Sequence, residues 1–122
     1  MKLKSAIVGI LFVLTACRPE PTVRGNTYIL RDSPIEISLS FDAHENRYFG
    51  KVVNRYYGTY RMEENSISFS QPSSTMYSGD EDDLMLEEAY LTDLPTAQSY
   101  TLDEDTLVLH LPNRKVLVFD LH

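Results

Sequence analysis

Apolar residues recur at every second position through much of this chain, and that spacing leaves few folds open to it. Ile35, Ile37, Leu39 and Phe41 alternate with Glu36, Ser38, Ser40 and Asp42. Side chains of an extended strand point to opposite faces in turn, so this run carries one apolar and one wet face. Ser66-Ile67-Ser68-Phe69-Ser70 repeats the pattern, as do Leu107, Leu109 and Leu111, and then Leu117, Phe119 and Leu121. Pro112-Asn113-Arg114, between the last two runs, suits a hairpin loop, because proline presets its φ and asparagine tolerates left-handed backbone. Asp103-Glu104-Asp105 reads as the turn of another hairpin.

One segment follows a different period. From Asp82 to Leu94, Leu86, Tyr90 and Leu94 recur every four residues, with Met85, Ala89 and Leu91 on the same side. That is helical spacing. It places Glu87, Glu88 and Asp93 on the exposed side, while the acidic stretch from Ser78 to Asp83 complements the dipole at the helix start. Pro95 ends the helix. Strands, one helix and strands again predict an α+β domain: a small curled antiparallel β-sheet, barrel-like, with one helix at about residues 82–94 inserted before the C-terminal strands.

The N-terminus speaks to compartment. Lys2 and Lys4 precede an apolar run from Ala6 to Leu14, the layout of an export signal. The run is shorter than the roughly 20 apolar residues a spanning helix needs. It ends in Leu14-Thr15-Ala16-Cys17, which resembles the lipobox of bacterial lipoproteins and contains the chain's one cysteine. By that resemblance residues 1–16 are removed and Cys17 carries a diacylglyceryl group, usually with an acylated α-amine. Each buried methylene contributes about 0.8 kcal/mol, so two or three chains hold a protein to its membrane. Arg18 stands where an aspartate would retain the protein in the inner membrane of enterobacteria, which favours the outer membrane of a Gram-negative cell. Arg18-Pro19-Glu20-Pro21-Thr22 has no apolar period and reads as a tether. Processing leaves 106 of the 122 residues and moves the formal charge from −7 to −9. One domain is the natural count. That acidic balance argues against nucleic acid as a partner, since phosphate binding needs clustered Lys and Arg. With Cys17 lipidated no disulfide is available, and the core alone must hold the fold.

Residues 46–50 and 54–58 repeat Asn-Arg-Tyr-aromatic-Gly at a spacing of eight. Repeat architectures use units of about 20 to 50 residues, so a hairpin explains the echo better. Asn46 and Asn54 suit turns, and Gly50 and Gly58 allow a bulge or a close backbone approach. Two readings of the side chains remain. Arg47, Lys51, Arg55 and Arg61, interleaved with Tyr48, Tyr56, Tyr57 and Tyr60, form either a stacking and charge platform for an anionic or aromatic ligand, or a sheet covered by tyrosines whose basic residues balance an acidic surface. The second is favoured, because aromatic residues are what strands prefer. The echo itself is then a coincidence on a real turn.

Gly50-Lys51-Val52-Val53-Asn54-Arg55-Tyr56-Tyr57-Gly58-Thr59-Tyr60 resembles the signature of the META domain family, with Asn54, Tyr56, Gly58 and Tyr60 matching as a ligand or structural motif. Ser74-Thr75-Met76-Tyr77-Ser78 resembles the family's Thr-x-Met-x-Cys segment, and Tyr28 stands for its early tryptophan. Val53 and Ser78 replace two family cysteines, a coherent joint loss if those pair with each other in other members. The resemblance implies a META-like domain over residues 25–122, behind a lipidated tether at 17–24. It also implies a setting in envelope maintenance or stress tolerance, since the family includes heat-inducible and antibiotic-tolerance-associated lipoproteins.

Little in the sequence points to catalysis. His44, His110 and His122 share no metal-ligand spacing, and Gly79-Asp80-Glu81-Asp82-Asp83 lacks the internal glycine and terminal glutamate of a calcium loop. There is no Gly-x-Ser-x-Gly and no phosphate-cradling glycine loop. The expectation is a non-catalytic, lipid-anchored envelope protein, without cofactor or metal, touching the membrane through Cys17 and meeting an unidentified envelope protein. The alternative is a small-molecule carrier with an aromatic-lined cavity.

Overall fold

The computed structural model describes residues 21–75 and 78–122. Cys17 and the segment expected to be an export signal lie outside them, as do Met76 and Tyr77.

Antiparallel pairing runs unbroken around the domain. Strand β1 (Thr27–Leu30) pairs with β2 (Ser38–Phe41), which pairs with β3 (Arg47–Lys51), which forms a hairpin with β4 (Arg55–Glu63). From β4 the order continues through β5 (Ser66–Phe69), β7 (Ser99–Leu102), β8 (Thr106–His110) and β9 (Val116–Leu121), and β9 returns to β1. Eight strands thus close a barrel, and β6 (Ser73–Ser74) is a two-residue spur on β4 beside Tyr56 and Tyr57. Closure gives these strands neighbours on both edges. The predicted helix is α1 (Glu81–Asp93), inserted between β6 and β7 and extended by a single 3₁₀ turn through Pro95.

The alternating residues meet inside. Ile37, Leu39, Phe41, Ile67, Phe69, Leu107, Leu109, Leu111, Leu117 and Phe119 are buried, and Leu121 is left half-exposed at the rim. Tyr28, Tyr48 and Tyr56 are among the largest fully buried side chains. Burying a ring or branched aliphatic side chain contributes about 1.5–3 kcal/mol, so this filled interior accounts for stability without a disulfide. The rings meet edge-on: Phe41 lies 5.0 Å from Tyr60 and 6.0 Å from Tyr28 at near-perpendicular angles. Such pairs place a positive ring edge against a negative face.

Both predicted turns form. At β8–β9, Asn113 and Arg114 have φ of 62° and 63°, and the Lys115 N–H donates to the Pro112 carbonyl at 3.3 Å, a left-handed two-residue turn. At β7–β8 the Asp103 carboxylate accepts from the backbone N–H groups of Asp105 and Thr106 at 2.9 and 2.8 Å.

Three expectations need correction. Val23 is buried, so the packed region starts two residues before Gly25. The strand around Ile35 is regular only from Ser38 onward. On α1 the buried stripe is Glu87, Tyr90 and then Leu94, whereas Met85 is 64% exposed and Ala89 is exposed. A turn of 3.6 residues places 87, 90 and 94 on one side, and Glu87 stays on the inside because donors await its carboxylate there.

Candidate functional site

The β3–β4 hairpin carries every residue of the motif, and its register explains the echo. Tyr48 stands opposite Gly58, and Gly50 opposite Tyr56. Two copies of Tyr-x-Gly laid antiparallel put each tyrosine over the other's glycine. A Cβ on Gly58 would come within 2.6 Å of the Tyr48 hydroxyl and 2.7 Å of its ring, and one on Gly50 would meet the Tyr56 hydroxyl at 2.7 Å and run into the Ser38 carbonyl oxygen. Reciprocal packing of aromatics over glycines is therefore what the repeat encodes, and the expectation of coincidence is overturned.

The hydroxyls of these tyrosines are all engaged. Tyr48 donates to the Ser70 carbonyl at 2.8 Å, Tyr56 donates to the Ser38 carbonyl at 2.6 Å, and the hydroxyls of Tyr56 and Tyr90 lie 2.6 Å apart. Loss of solvent raises all three above the ordinary tyrosine range, Tyr48 to about 12, with Tyr56 raised further by the neighbouring Tyr90. Tyr60 is buried as well, edge-on to Phe41. Tyr48, Tyr56 and Tyr60 thus pack the interior shut.

Asn54 closes the hairpin turn, and the partner that fixes it comes from the helix. The Glu87 carboxylate accepts the backbone N–H of Val53 at 3.0 Å and of Asn54 at 2.6 Å through one oxygen, and the Asn54 side-chain amide at 2.9 Å through the other. Both residues are buried. A carboxylate receiving three donors is a satisfied buried charge, and it fastens α1 to the hairpin. Sequence reasoning missed this role for Glu87, although a carboxylate three residues before Tyr90 on a buried stripe was a usable signal. Val53, where the family has a cysteine, lies against the segment holding the other replaced position: a Cβ on Gly79 would sit 2.5 Å from Val53 Cγ1.

Alternation sends a different set outward. Arg47, Phe49 and Lys51 on β3 and Arg55, Tyr57, Thr59 and Arg61 on β4 are exposed, with Phe49 directly opposite Tyr57 and Lys51 opposite Arg55. Of the four tyrosines in the platform reading, which the sequence did not favour, Tyr48, Tyr56 and Tyr60 are buried and only Tyr57 faces out, joined by Phe49, which shares the parity of Arg47 and Lys51. Phe49 and Tyr57 are 46% and 57% exposed. A surface groove runs beside them past Arg47, Thr59, Gln71 and Ser73.

A family model described as "META domain" matches residues 12–122. No curated protein matches the sequence significantly. Among solved structures, an NMR structure of a protein from Burkholderia xenovorans is similar, with 20% identity and a TM-score of 0.69 over 86% of this chain and 92% of that one. A second NMR structure is 18% identical with a TM-score of 0.58, covering 80% of this chain and 89% of that one. A crystal structure of a DUF4847 family protein from Bacteroides vulgatus is 17% identical with a TM-score of 0.53, covering 70% and 58% respectively. These three likenesses concern the fold, whereas the family model spans both the hairpin motif and the helix that clasps it: the chain belongs to the META domain family.

Proposed function

We propose that this META domain is a non-catalytic, lipid-anchored protein of the bacterial cell envelope, placed at the outer membrane of a Gram-negative cell and acting in envelope maintenance or stress tolerance through contacts made by its surface. The observation that carries the contact reading is the closed interior. Of the tyrosines a carrier would use to line a cavity, Tyr48 and Tyr56 are buried against each other and against Phe69 and Tyr90, and Tyr60 is buried against Phe41. The hollows beside the helix and beside Phe49 and Tyr57, of about 780 and 600 Å³, are open surface grooves. The anchor is supported by the lipobox-like Leu14-Thr15-Ala16-Cys17 behind a basic start and an apolar run. Six residue steps separate Cys17 from the buried Val23, a reach of at most about 22 Å, so an anchored Cys17 keeps the domain near the bilayer.

Mass spectrometry of the protein recovered from cell membranes, beside a Cys17→Ser variant, tests the reading. An acylated Cys17 at the mature N-terminus and an unprocessed variant are expected. An unmodified Cys17 on a soluble protein would overturn the anchor. Loss of envelope-stress tolerance on deletion is the expected phenotype, and an unchanged strain under every such stress would count against the role.

A further inference from the structure

The outer face of β3–β4 has a chemical character of its own. Four of the eight Lys and Arg among the described residues stand on it: Arg47, Lys51, Arg55 and Arg61. Elsewhere Arg31 pairs with Asp120 and Lys115 with Asp93, Arg24 donates to the Asn46 side chain, and Arg114 in the β8–β9 turn makes no ion pair among the described residues. On this face Arg47 pairs with Glu45 at 3.0 Å, while Lys51, Arg55 and Arg61 make no ion pair among the described residues. Glu36 and Asp83 border the hollow beyond Lys51 without pairing to it. Lys51 and Arg55 are moreover direct cross-strand partners, next to the turn. Like charges so placed destabilise a hairpin, and in a chain of net charge −7 acidic partners were available to relieve them.

Between the cationic rows lies the Phe49–Tyr57 pair. Two residues along a strand is about 6.8 Å, so one row of cations sits that far to one side of the aromatic row and Arg47 the same distance to the other. A six-membered ring resting on Phe49 and Tyr57 therefore has cations on both flanks. Hydroxyl and amide groups of Thr59, Gln71 and Ser73 border the groove, and at its Arg47 end stands the Asp42 carboxylate, which accepts from the backbone N–H groups of His44 and Glu45, so the cations open to an anion are those at the Lys51–Arg55 end. The backbone adds nothing to recognition here, because β3 lies between β2 and β4, and β4 at Tyr57 lies between β3 and β6. A peptide cannot add as a strand to this face. About nine side chains are also far fewer than the 20–30 residues of a standard protein interface. Rings with polar rims and regularly spaced charges fit better.

We propose that this face is a binding platform for a carboxylated glycan, with sugar rings stacked on Phe49 and Tyr57 and carboxylates held by Lys51 and Arg55. This names one surface partner for the envelope reading and rests on that reading only for where the glycan is met; binding itself is a property of the folded domain. The test titrates the full-length chain, solubilised in detergent, with oligogalacturonate, with a neutral galactose oligomer and with polyglutamate, following amide and aromatic resonances. Expected are shifts confined to Phe49, Tyr57 and their neighbours with oligogalacturonate, at least tenfold weaker binding of the neutral oligomer, and at least tenfold loss in Tyr57→Ala and in Lys51→Ala/Arg55→Ala. These positions are exposed, and unchanged melting curves of the variants separate lost binding from lost fold. Polyglutamate binding as tightly as the oligouronate, insensitive to Tyr57→Ala, would overturn the glycan assignment in favour of plain polyanion attraction. Absence of any titration would remove the platform. A negative titration with acylated Cys17 defeats the platform alone, and a positive titration with unmodified Cys17 defeats the anchor alone.

Discussion

Glu87→Ala removes the acceptor for three donors at once, the Val53 and Asn54 backbone N–H groups and the Asn54 amide. Breaking a buried charged contact by deleting one partner costs about 3–5 kcal/mol. The clasp borders an open groove lined by Asn54, Leu84 and Glu88, so water replaces part of what is lost and about 3 kcal/mol is expected. For a domain of this length that lowers the melting temperature by on the order of 15 °C. Glu87→Gln keeps one oxygen for the two backbone donors but sets its amide against the Asn54 amide, so about 1–2 kcal/mol is expected. Asn54→Ala leaves the carboxylate with both backbone donors and should cost about as much as the glutamine variant. Urea unfolding of the three variants gives these differences at constant slope, and hydrogen exchange at Val53 and Asn54 localises them. An alanine variant within about 1 kcal/mol of the parent, or one with unchanged exchange at the turn, would refute the clasp as the tie between helix and hairpin.

The reciprocal tyrosine–glycine packing predicts an asymmetry. Gly58→Ala meets mainly a serine hydroxyl and a tyrosine ring and should cost about 1–3 kcal/mol, while Gly50→Ala meets the Ser38 backbone and should cost more or prevent folding; equal costs in thermal melts would contradict it. Tyr48, Tyr56 and Tyr90 are held neutral above the ordinary tyrosine range. The folded state therefore binds their protons more tightly than the unfolded one, and the stability this contributes is intact below about pH 10 and lost as pH rises toward about 12. Tyrosinate absorbance and circular dichroism should change together over that window, and native tyrosines that all ionise near pH 10 with the fold intact would be the contrary result. Arg114→Gly relieves a left-handed arginine in the β8–β9 turn and should stabilise by about 0.5–1 kcal/mol in urea titrations, with a loss of stability pointing to a contact of the arginine side chain.

Alternation at period two carried the strand content, four-residue spacing the helix at Glu81–Asp93, and proline, asparagine and aspartate the turns at Asp103–Asp105 and Pro112–Arg114, because each is set by interactions among near neighbours. The same local logic found the hairpin around Asn54. It could not separate the tyrosines of the echo. Tyr56 and Tyr57 are adjacent in sequence and differ only in which face of the strand each occupies, and that parity is fixed by pairing with β3 and by the barrel's closure, both long-range events. Glu87 shows the same limit. Helical spacing allowed a stripe through Leu86 or one through Glu87, and the choice fell to the second because the turn at Val53 and Asn54 offers three donors from more than thirty residues away. The sequence by itself determined which segments extend, which one coils and where they turn. Tertiary structure alone decided which tyrosines became core, which cations were left facing solvent and which carboxylate was drawn inside, because those outcomes depend on partners that meet only when the barrel closes.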